Sequence, residues 1–177
     1  MTAPIHQEIV FEDEICTHLQ SHGWAFDGPL PYQKSFTYDA GYDKRYAVYP
    51  ADAIAWVKKT QQDAWAKFTA HHKDQAESER EFIRCLTAEL DRDRKTIKKD
   101  DPQMWGSLNV LRRGFKHINA SFKMATFAPA NSLNPKLWDE YQSNILRVVR
   151  QVRYSMHNGN SIDRCSFSMA SRWPRSS

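Results

Sequence analysis

Apolar residues recur at helical spacing through the first half of the chain. Residues 6–22 carry an apolar stripe with a period near 3.6, and Gly23 follows at the position of a helix C-cap. A second helical pattern begins at Pro50 and Asp52, and a third covers residues 77–91. The side chains expected to face inward on the first two helices are Ile9, Phe11, Ile15, Cys16, Leu19, Ile54, Val57, Trp65 and Phe68.

The pattern changes after Trp105. Segments 108–115 and 121–130 are apolar and partly alternating, which predicts β-strands. A short helix is expected to begin after Pro135, whereas the pattern of residues 145–155 fits either a strand or the end of that helix. Helices followed by a β-rich half predict an α+β or mixed α/β fold.

The composition is that of an ordinary globular protein. The chain has 177 residues, of which 41% are hydrophobic, 12% aromatic and 26% charged. No segment approaches the roughly 18 consecutive apolar residues of a membrane span, and the N-terminus has no basic region followed by an apolar one. The three cysteines are far apart, without a spacing typical of zinc sites. We therefore expect no membrane association and a reducing, cytoplasmic location.

The net charge of +4 is a weak indication of nucleic-acid binding. Residues 164–177 contain three arginines and no acid. Removing these three from the 25 basic residues leaves 22, against 21 acidic residues, or a charge of +1. The basic surplus therefore belongs to this short tail and does not by itself indicate a basic surface on the rest of the chain.

A series of short motifs follows in order along residues 110–163. The motifs are Gly114-Phe115-Lys116, Phe127-Ala128-Pro129-Ala130, Leu133-Asn134-Pro135, Arg150-Gln151, Tyr154-Ser155 and Ser161-Ile162-Asp163. Together they resemble the N-terminal region of the restriction (R) subunits of type I restriction-modification enzymes. Residues 11–24 and 60–68 also resemble parts of that region. The chain departs from the family at Arg113, where many members have His.

The resemblance implies a DNA-cleaving domain of the PD-(D/E)xK nuclease type. Residues 1–163 would be the N-terminal part of that domain, with N-terminal helices and an incomplete nuclease-like mixed sheet. The intact subunit would cleave double-stranded DNA with Mg²⁺, coupled to translocation by an ATP-driven motor that lies downstream. It would act in a complex with modification (M) and specificity (S) subunits.

By this resemblance, Asp163 is the first catalytic carboxylate and a ligand of Mg²⁺. Clustered carboxylates hold the ion, which activates water and stabilises charge on the scissile phosphate. The family has a Glu fourteen residues later and a Lys two residues beyond it; the first position is Ser177 here, and the second lies past the printed sequence. We therefore expect Asp163 to lack both partners and this chain to be inactive alone.

The tail, residues 164–177, is expected to be an aberrant segment read in a shifted frame. With one nucleotide inserted in the Arg164 codon, each later codon combines the last base of one residue with the first two bases of the next. Met169 and Trp173 each have a single codon, so the shifted codons that begin with their last bases must encode Gly and Ala. The same shift permits a Glu in place of Ser177. The Gly, Ala and Glu of the shifted frame stand where members of the family have the same residues. The sequence leaves open whether the shift is a lesion of the gene or a sequencing error.

Four further residues are candidates for the metal site or for DNA contact. Glu12 matches an upstream carboxylate that some relatives of this nuclease fold add to the metal site; the alternative is a solvated residue of the first helix. Arg147, Arg150 and Arg153 precede Asp163 and could neutralise DNA phosphates. The alternative for these three arginines is a solvated face of the protein.

For two other motifs a solvated surface is the favoured interpretation. His71 and His72 are adjacent, but no third ligand lies at metal-ligand spacing, which favours a charged helix–loop junction. The basic run at residues 95–99 is typical of a solvated segment. A second hypothesis for the whole chain is a non-catalytic module that binds DNA weakly or docks on the motor or on partner subunits.

Overall fold

The protein has an α+β fold in the computed structural model, which describes residues 5–28, 41–92, 106–131, 133–153 and 161–168. For residues 5–8, 153 and 161–168 only the backbone is described. The helices are α1 (Ile5–Ser21), α2 (Pro50–Thr60), α3 (Gln62–Thr69), α4 (Gln75–Leu90), α5 (Gly106–Arg113) and α6 (Pro135–Gln142). The strands are β1 (Phe115–His117), β2 (Ala120–Phe122), β3 (Leu146–Arg153) and β4 (Ser161–Ser168).

The strands form two antiparallel pairs, β1 with β2 and β3 with β4. Among the described residues these pairs do not join into one sheet, so the nuclease-like mixed sheet stays a prediction. No helix in the described ranges combines the length and the apolar character needed to cross a membrane.

The chain divides into two compact units. Unit 1 comprises residues 1–49 and 145–168, and unit 2 comprises residues 50–144 and 169–177. The domain boundary that the sequence placed after residue 163 stays a prediction. Strand β4 runs across that position to Ser168, and residues 169–177 lie outside the described part of the chain.

In unit 1, helix α1 ends as the sequence predicts. The backbone N–H of Gly23 donates to the carbonyl of Gln20 at 3.0 Å, and that of Trp24 donates to the carbonyl of Leu19 at 3.1 Å. This pair of bonds satisfies carbonyls that the helix leaves open, and it requires a left-handed residue at the turn. Gly23 has φ +86, so its role as the helix C-cap is confirmed.

The predicted buried face of α1 is partly wrong. Ile9 and Phe11 are 44% and 61% exposed, whereas Cys16 is fully buried and Glu12 is only 7% exposed. The reason is that α1 packs against β3, where Arg150 pairs with Glu12. A charged pair therefore lies at the interface that the apolar stripe was expected to form.

The segment that fitted either a strand or a helix end is strand β3. It pairs with β4 in a register that places Val149 opposite Cys165. Val149 and Val152 belong to one buried cluster, although they are three residues apart and a regular strand would place them on opposite faces. Gln151, with φ +54, lies between them and breaks the alternation. The two remaining members of this cluster are Tyr42 and Tyr49.

In unit 2, the helical pattern that begins at Pro50 forms two helices, α2 and α3, which are separated at Gln61. The backbone of Gln61 is not helical, with φ −138 and ψ 52. Its side-chain amide donates to the carbonyl of Lys123 at 2.9 Å and accepts from the backbone N–H of Lys123 at 2.8 Å. Gln61 thus satisfies two backbone groups just after β2, a contact between distant residues that periodicity does not reveal.

The prediction of strands at residues 108–115 and 121–130 is largely wrong. Most of the first segment forms α5, and only Phe115 belongs to a strand; of the second, only residues 121 and 122 do. Helix α5 packs against α4 and buries Val110, while Leu108 is 61% exposed. The apolar residues of this short segment therefore do not form one face of a strand, because they lie on a helix that buries Val110 and exposes Leu108.

The core of unit 2 is aromatic. Phe82 and Phe122 meet edge to face with ring centroids 5.1 Å apart, and Phe115 lies 5.4 Å from Phe122. Phe68 and Trp65 of α3 contact Phe82 at 6.2 and 5.5 Å. Such aromatic pairs add to the stabilisation from buried apolar area. They hold α3 and α4 against the β1–β2 hairpin.

Gly114, between α5 and β1, cannot be replaced without strain. It has φ +73, and a Cβ atom there would overlap the carbonyl oxygen of Phe122 and lie 2.8 Å from its carbon. We expect Gly114→Ala to lower the free energy of unfolding by about 2–3 kcal/mol, since a left-handed residue and displaced backbone each add strain. The measurement is denaturant unfolding monitored by circular dichroism.

Gly106 provides the matched control for this substitution. It has φ +72, but a Cβ atom there would meet nothing within 4 Å. Gly106→Ala therefore tests the backbone conformation alone and should cost about 1 kcal/mol. Equal losses in both variants would show that the close approach to Phe122 does not matter.

Candidate functional site

The carboxylate that the sequence singles out, Asp163, lies on strand β4 in unit 1. The register pairs Arg150 with Arg164 and Val152 with Ile162, which places the backbone of Asp163 opposite that of Gln151. Gln151 is the residue with the left-handed backbone. The side chain of Asp163 lies outside the described part of the structure, so its role as a metal ligand stays a prediction.

Glu12 is not a solvated helix residue. Its side chain is 10% exposed, and its Oε2 accepts a hydrogen bond of 3.0 Å from Nε of Arg150. Arg150 is equally buried, with 9% of its side chain exposed, and another guanidinium nitrogen donates to Asp13. A guanidinium suits this arrangement because its fixed, planar donors can serve two carboxylates at once.

An ion-pair cluster joins α1 to β3, two elements that are far apart in the sequence. It consists of Glu12, Asp13 and Arg150. Glu12 and Arg150 are 138 residues apart. Burial removes water from both charges, so each depends on the other for compensation. The geometry gives Arg150 a role in holding α1, and its contact with DNA stays a prediction.

Of the other two candidate arginines, the structure describes the side chain of Arg147 but not that of Arg153. Arg147 donates to Asp27 and lies over the ring of Tyr49, with its guanidinium carbon 4.5 Å from the ring centroid. Only 13% of the Arg147 side chain is exposed. The side chain of Arg153 lies outside the described residues. Neither observation tests the predicted contact with DNA phosphates.

The described residues of unit 1 do not by themselves fit a magnesium ion. Glu12 and Asp13 offer the oxygen ligands that Mg²⁺ prefers. Arg150, however, already supplies the positive charge beside both carboxylates. A cation at Glu12 would therefore have to displace a buried guanidinium. The pairing of Glu12 with Arg150 does not support a metal-binding role for Glu12, which stays a prediction.

A second cluster, in unit 2, was missed by the sequence analysis. Sγ of Cys85 lies 3.3 Å from Nδ1 of His117 and 3.5 Å from Oε1 of Glu81. Cys85 is buried, and the other two side chains are about one-quarter exposed. Glu81 and Cys85 are four residues apart on α4, whereas His117 lies on β1, 32 residues after Cys85. That separation exceeds any short spacing by which a metal site is recognised.

Two groups in this second cluster have displaced pKa values. Burial, aided by the negative charge of Glu81, raises the pKa of the Cys85 thiol to about 11. Hydrogen bonds from Arg84 hold the pKa of Glu81 at about 2. At neutral pH the cluster therefore contains an ionised carboxylate and a protonated thiol, and Cys85 is not an activated nucleophile.

The histidine pair lies at the end of helix α3. His71 is exposed in the turn after α3, and Nδ1 of His72 lies 2.9 Å from the carbonyl oxygen of Phe68. This local contact at a helix end agrees with the interpretation as a helix–loop junction. Residues 95–99 lie outside the described residues.

Comparison of the chain with models of known protein families, with curated proteins and with solved structures finds no match.

Proposed function

We propose that this chain is the N-terminal part of a nuclease domain like that of type I restriction R subunits. The observation that carries the proposal is the ordered set of motifs that ends at Asp163. In the structure, Asp163 lies on one strand of an antiparallel hairpin, and Glu12 packs against the other strand through Arg150. Because Arg150 already compensates the charge of Glu12, the support for a nuclease site comes from the motifs and Asp163 rather than from Glu12.

Several residues that carry the resemblance also have specific structural roles, which supports a resemblance of fold. Gly114 allows the close approach to Phe122. The side chain of Asn134 caps α6 by accepting from the backbone N–H of Leu137 at 3.4 Å, and Pro135 is the first residue of that helix. These roles explain why the chain needs those residue types at those positions.

In this proposal the intact subunit cleaves double-stranded DNA in the cytoplasm. Mg²⁺ would supply the Lewis acid for phosphodiester hydrolysis. ATP would serve a downstream motor, and the M and S subunits would bind the same complex and provide recognition of the DNA sequence. This chain would be inactive, because Ser177 stands where the family has the Glu that follows Asp163.

The proposal is tested by the gene and by a cleavage assay. We expect the nucleotide sequence after codon 164 to continue, one base out of frame, through Glu-x-Lys into a motor region. The frame-restored subunit, assembled with its M and S subunits, should cut plasmid DNA with ATP and Mg²⁺. The chain as printed should not. A gene without such a frame, or a restored subunit that does not cut, would contradict the proposal.

A non-catalytic docking module is the second candidate, and the ion-pair cluster favours it. Arg150, which could have faced DNA, is instead neutralised by Glu12 and Asp13. A docking module would bind M or S subunits in a pull-down assay and would show little salt-dependent binding of duplex DNA. A DNA-binding unit would lose affinity steeply as the salt concentration rises.

A further inference from the structure

Three side chains of unit 2 bring one oxygen, one sulfur and one nitrogen ligand atom together. The ligand atoms of Glu81, Cys85 and His117 all lie within 4.8 Å of one another. We propose that these three residues bind a zinc ion, with a fourth coordination position open to water. This inference is independent of the proposed nuclease function, because none of the three residues belongs to that site.

The backbone places these ligands on two packed elements. Residues four apart on a helix share one face, so Glu81 and Cys85 project from the same side of α4. His117 is the last residue of β1, and α4 contacts β1. The His117 ring also meets Phe68, with centroids 5.6 Å apart. Phe68 is only 1% exposed, so the ring is held against the core.

Two of the three ligand separations suit tetrahedral zinc. Zinc lies about 2.3 Å from a Cys sulfur and about 2.0–2.1 Å from a His nitrogen, so two such ligands in a tetrahedral site are about 3.5 Å apart. The observed separations from Sγ of Cys85 are 3.3 Å to Nδ1 of His117 and 3.5 Å to Oε1 of Glu81. The third pair is farther apart, with Nε2 of His117 4.0 Å from Oε1 of Glu81, so these two side chains must move closer to complete the site.

The ligand set favours zinc over magnesium. A thiolate and an imidazole are preferred by zinc and similar transition metals, whereas Mg²⁺ prefers oxygen ligands. Cys85 is buried, but Glu81 and His117 are 24% and 26% exposed. The cluster thus has a solvent-facing side through which an ion could enter, and on which water could take the fourth position.

Binding of the ion must break one ion pair and displace one proton. Arg84 is paired with Glu81, but 64% of its side chain is exposed, so water screens this ion pair and weakens it. The thiol of Cys85 must also lose its proton, because the thiolate is the metal ligand. In the proposed step the S–H bond breaks, a Zn–S bond forms, and the proton passes to the buffer.

The test is titration of the full chain with Zn²⁺ against a chromophoric chelator, and with Co²⁺ for absorption from a thiolate–cobalt bond. We expect one equivalent to bind, with the cobalt–thiolate band present. Cys85→Ser should abolish the band and weaken zinc binding at least about 100-fold, since even residues outside the first coordination shell affect affinity 10–100-fold. His117→Asn should weaken binding similarly.

Matched controls separate a metal site from a structural cluster. Glu89, on the same helix, pairs with Arg92 three residues later, as Glu81 pairs with Arg84, so Glu89→Gln should leave zinc affinity unchanged while Glu81→Gln lowers it. His71→Gln, at an exposed histidine of the same unit, should also have no effect. Circular dichroism checks that each variant is folded.

Two results would overturn the proposal. One is a folded wild-type chain that binds neither ion; the other is zinc binding that His117→Asn and Glu81→Gln leave intact in folded protein. If Cys85→Ser does not fold, these two variants at partly exposed positions still decide the question. Binding lost only in His71→Gln would be a case of the second result and would place the ion elsewhere.

Discussion

Replacing Arg150 with Met should lower the free energy of unfolding by about 3–5 kcal/mol, the loss expected when one partner of a buried ion pair is removed. Met retains much of the apolar length of the side chain but removes the charge. Glu12 would then remain 10% exposed without its guanidinium, and a buried carboxylate without a counter-charge is strongly disfavoured. Chemical denaturation at neutral pH, followed by circular dichroism, measures the difference.

Asp13→Asn is the matched control for Arg150→Met. Asp13 bonds the same guanidinium, but 58% of its side chain is exposed. Water therefore screens this pair, and its loss should cost no more than about 1 kcal/mol. Restoring stability with Glu12→Leu in the Arg150→Met background would support the same explanation. A loss below 1 kcal/mol in Arg150→Met itself would show that the pair does not hold α1 to β3.

Asp163→Asn should reduce DNA cleavage by the frame-restored subunit at least about 1000-fold, which corresponds to about 4 kcal/mol in the activation barrier. This prediction depends on the proposed function. By resemblance, Asp163 supplies the first negative charge of the nuclease site, and Asn retains the size of the side chain without that charge. ATP hydrolysis should be largely unchanged, because the proposed motor lies in a separate downstream region.

Plasmid cleavage and ATP hydrolysis should be measured on the same preparation of the complex. Asp139→Asn, at an exposed acidic residue of α6, is the matched control and should cut at the rate of the unmodified subunit. The alternative role for Asp163 is the local hydrogen bonding that is common for Asp after a sequence such as Gly159-Asn160-Ser161. Near-normal cleavage by Asp163→Asn would favour that role and contradict the assignment of the site.

Part of the candidate site could be predicted from sequence. The sequence singles out Asp163 and Glu12 as carboxylates of interest; the structure buries Glu12, and the role of Asp163 stays a prediction. Its partner Arg150 was identified as well, but for a different role. The sequence shows that both residue types are present, whereas only folding determines that their charges compensate each other.

The second cluster, formed by Glu81, Cys85 and His117, could not be predicted from the sequence. Glu81 and Cys85 share a helix face, but that spacing alone is common in helices and does not indicate a site. His117 joins them because the aromatic core holds β1 against α4. A metal site built from distant parts of a chain has no short motif, since its geometry exists only after those parts have packed.

The sequence by itself determined the features that depend on neighbouring residues. The extents of α1 and α4, the end of α1 at Gly23 and the start of α6 at Pro135 follow from periodicity and capping, which act within a few residues. The α+β class followed from the order of these patterns.

Only the tertiary structure decided the features that depend on distant contacts. It made residues 106–113 a helix against α4, separated α2 from α3 at Gln61, and turned Glu12 rather than Phe11 toward the interior. In each case the stabilising partner lies far away in the sequence, as Arg150 does from Glu12. The free energy of such contacts exceeds the weak local preferences from which periodicity is read.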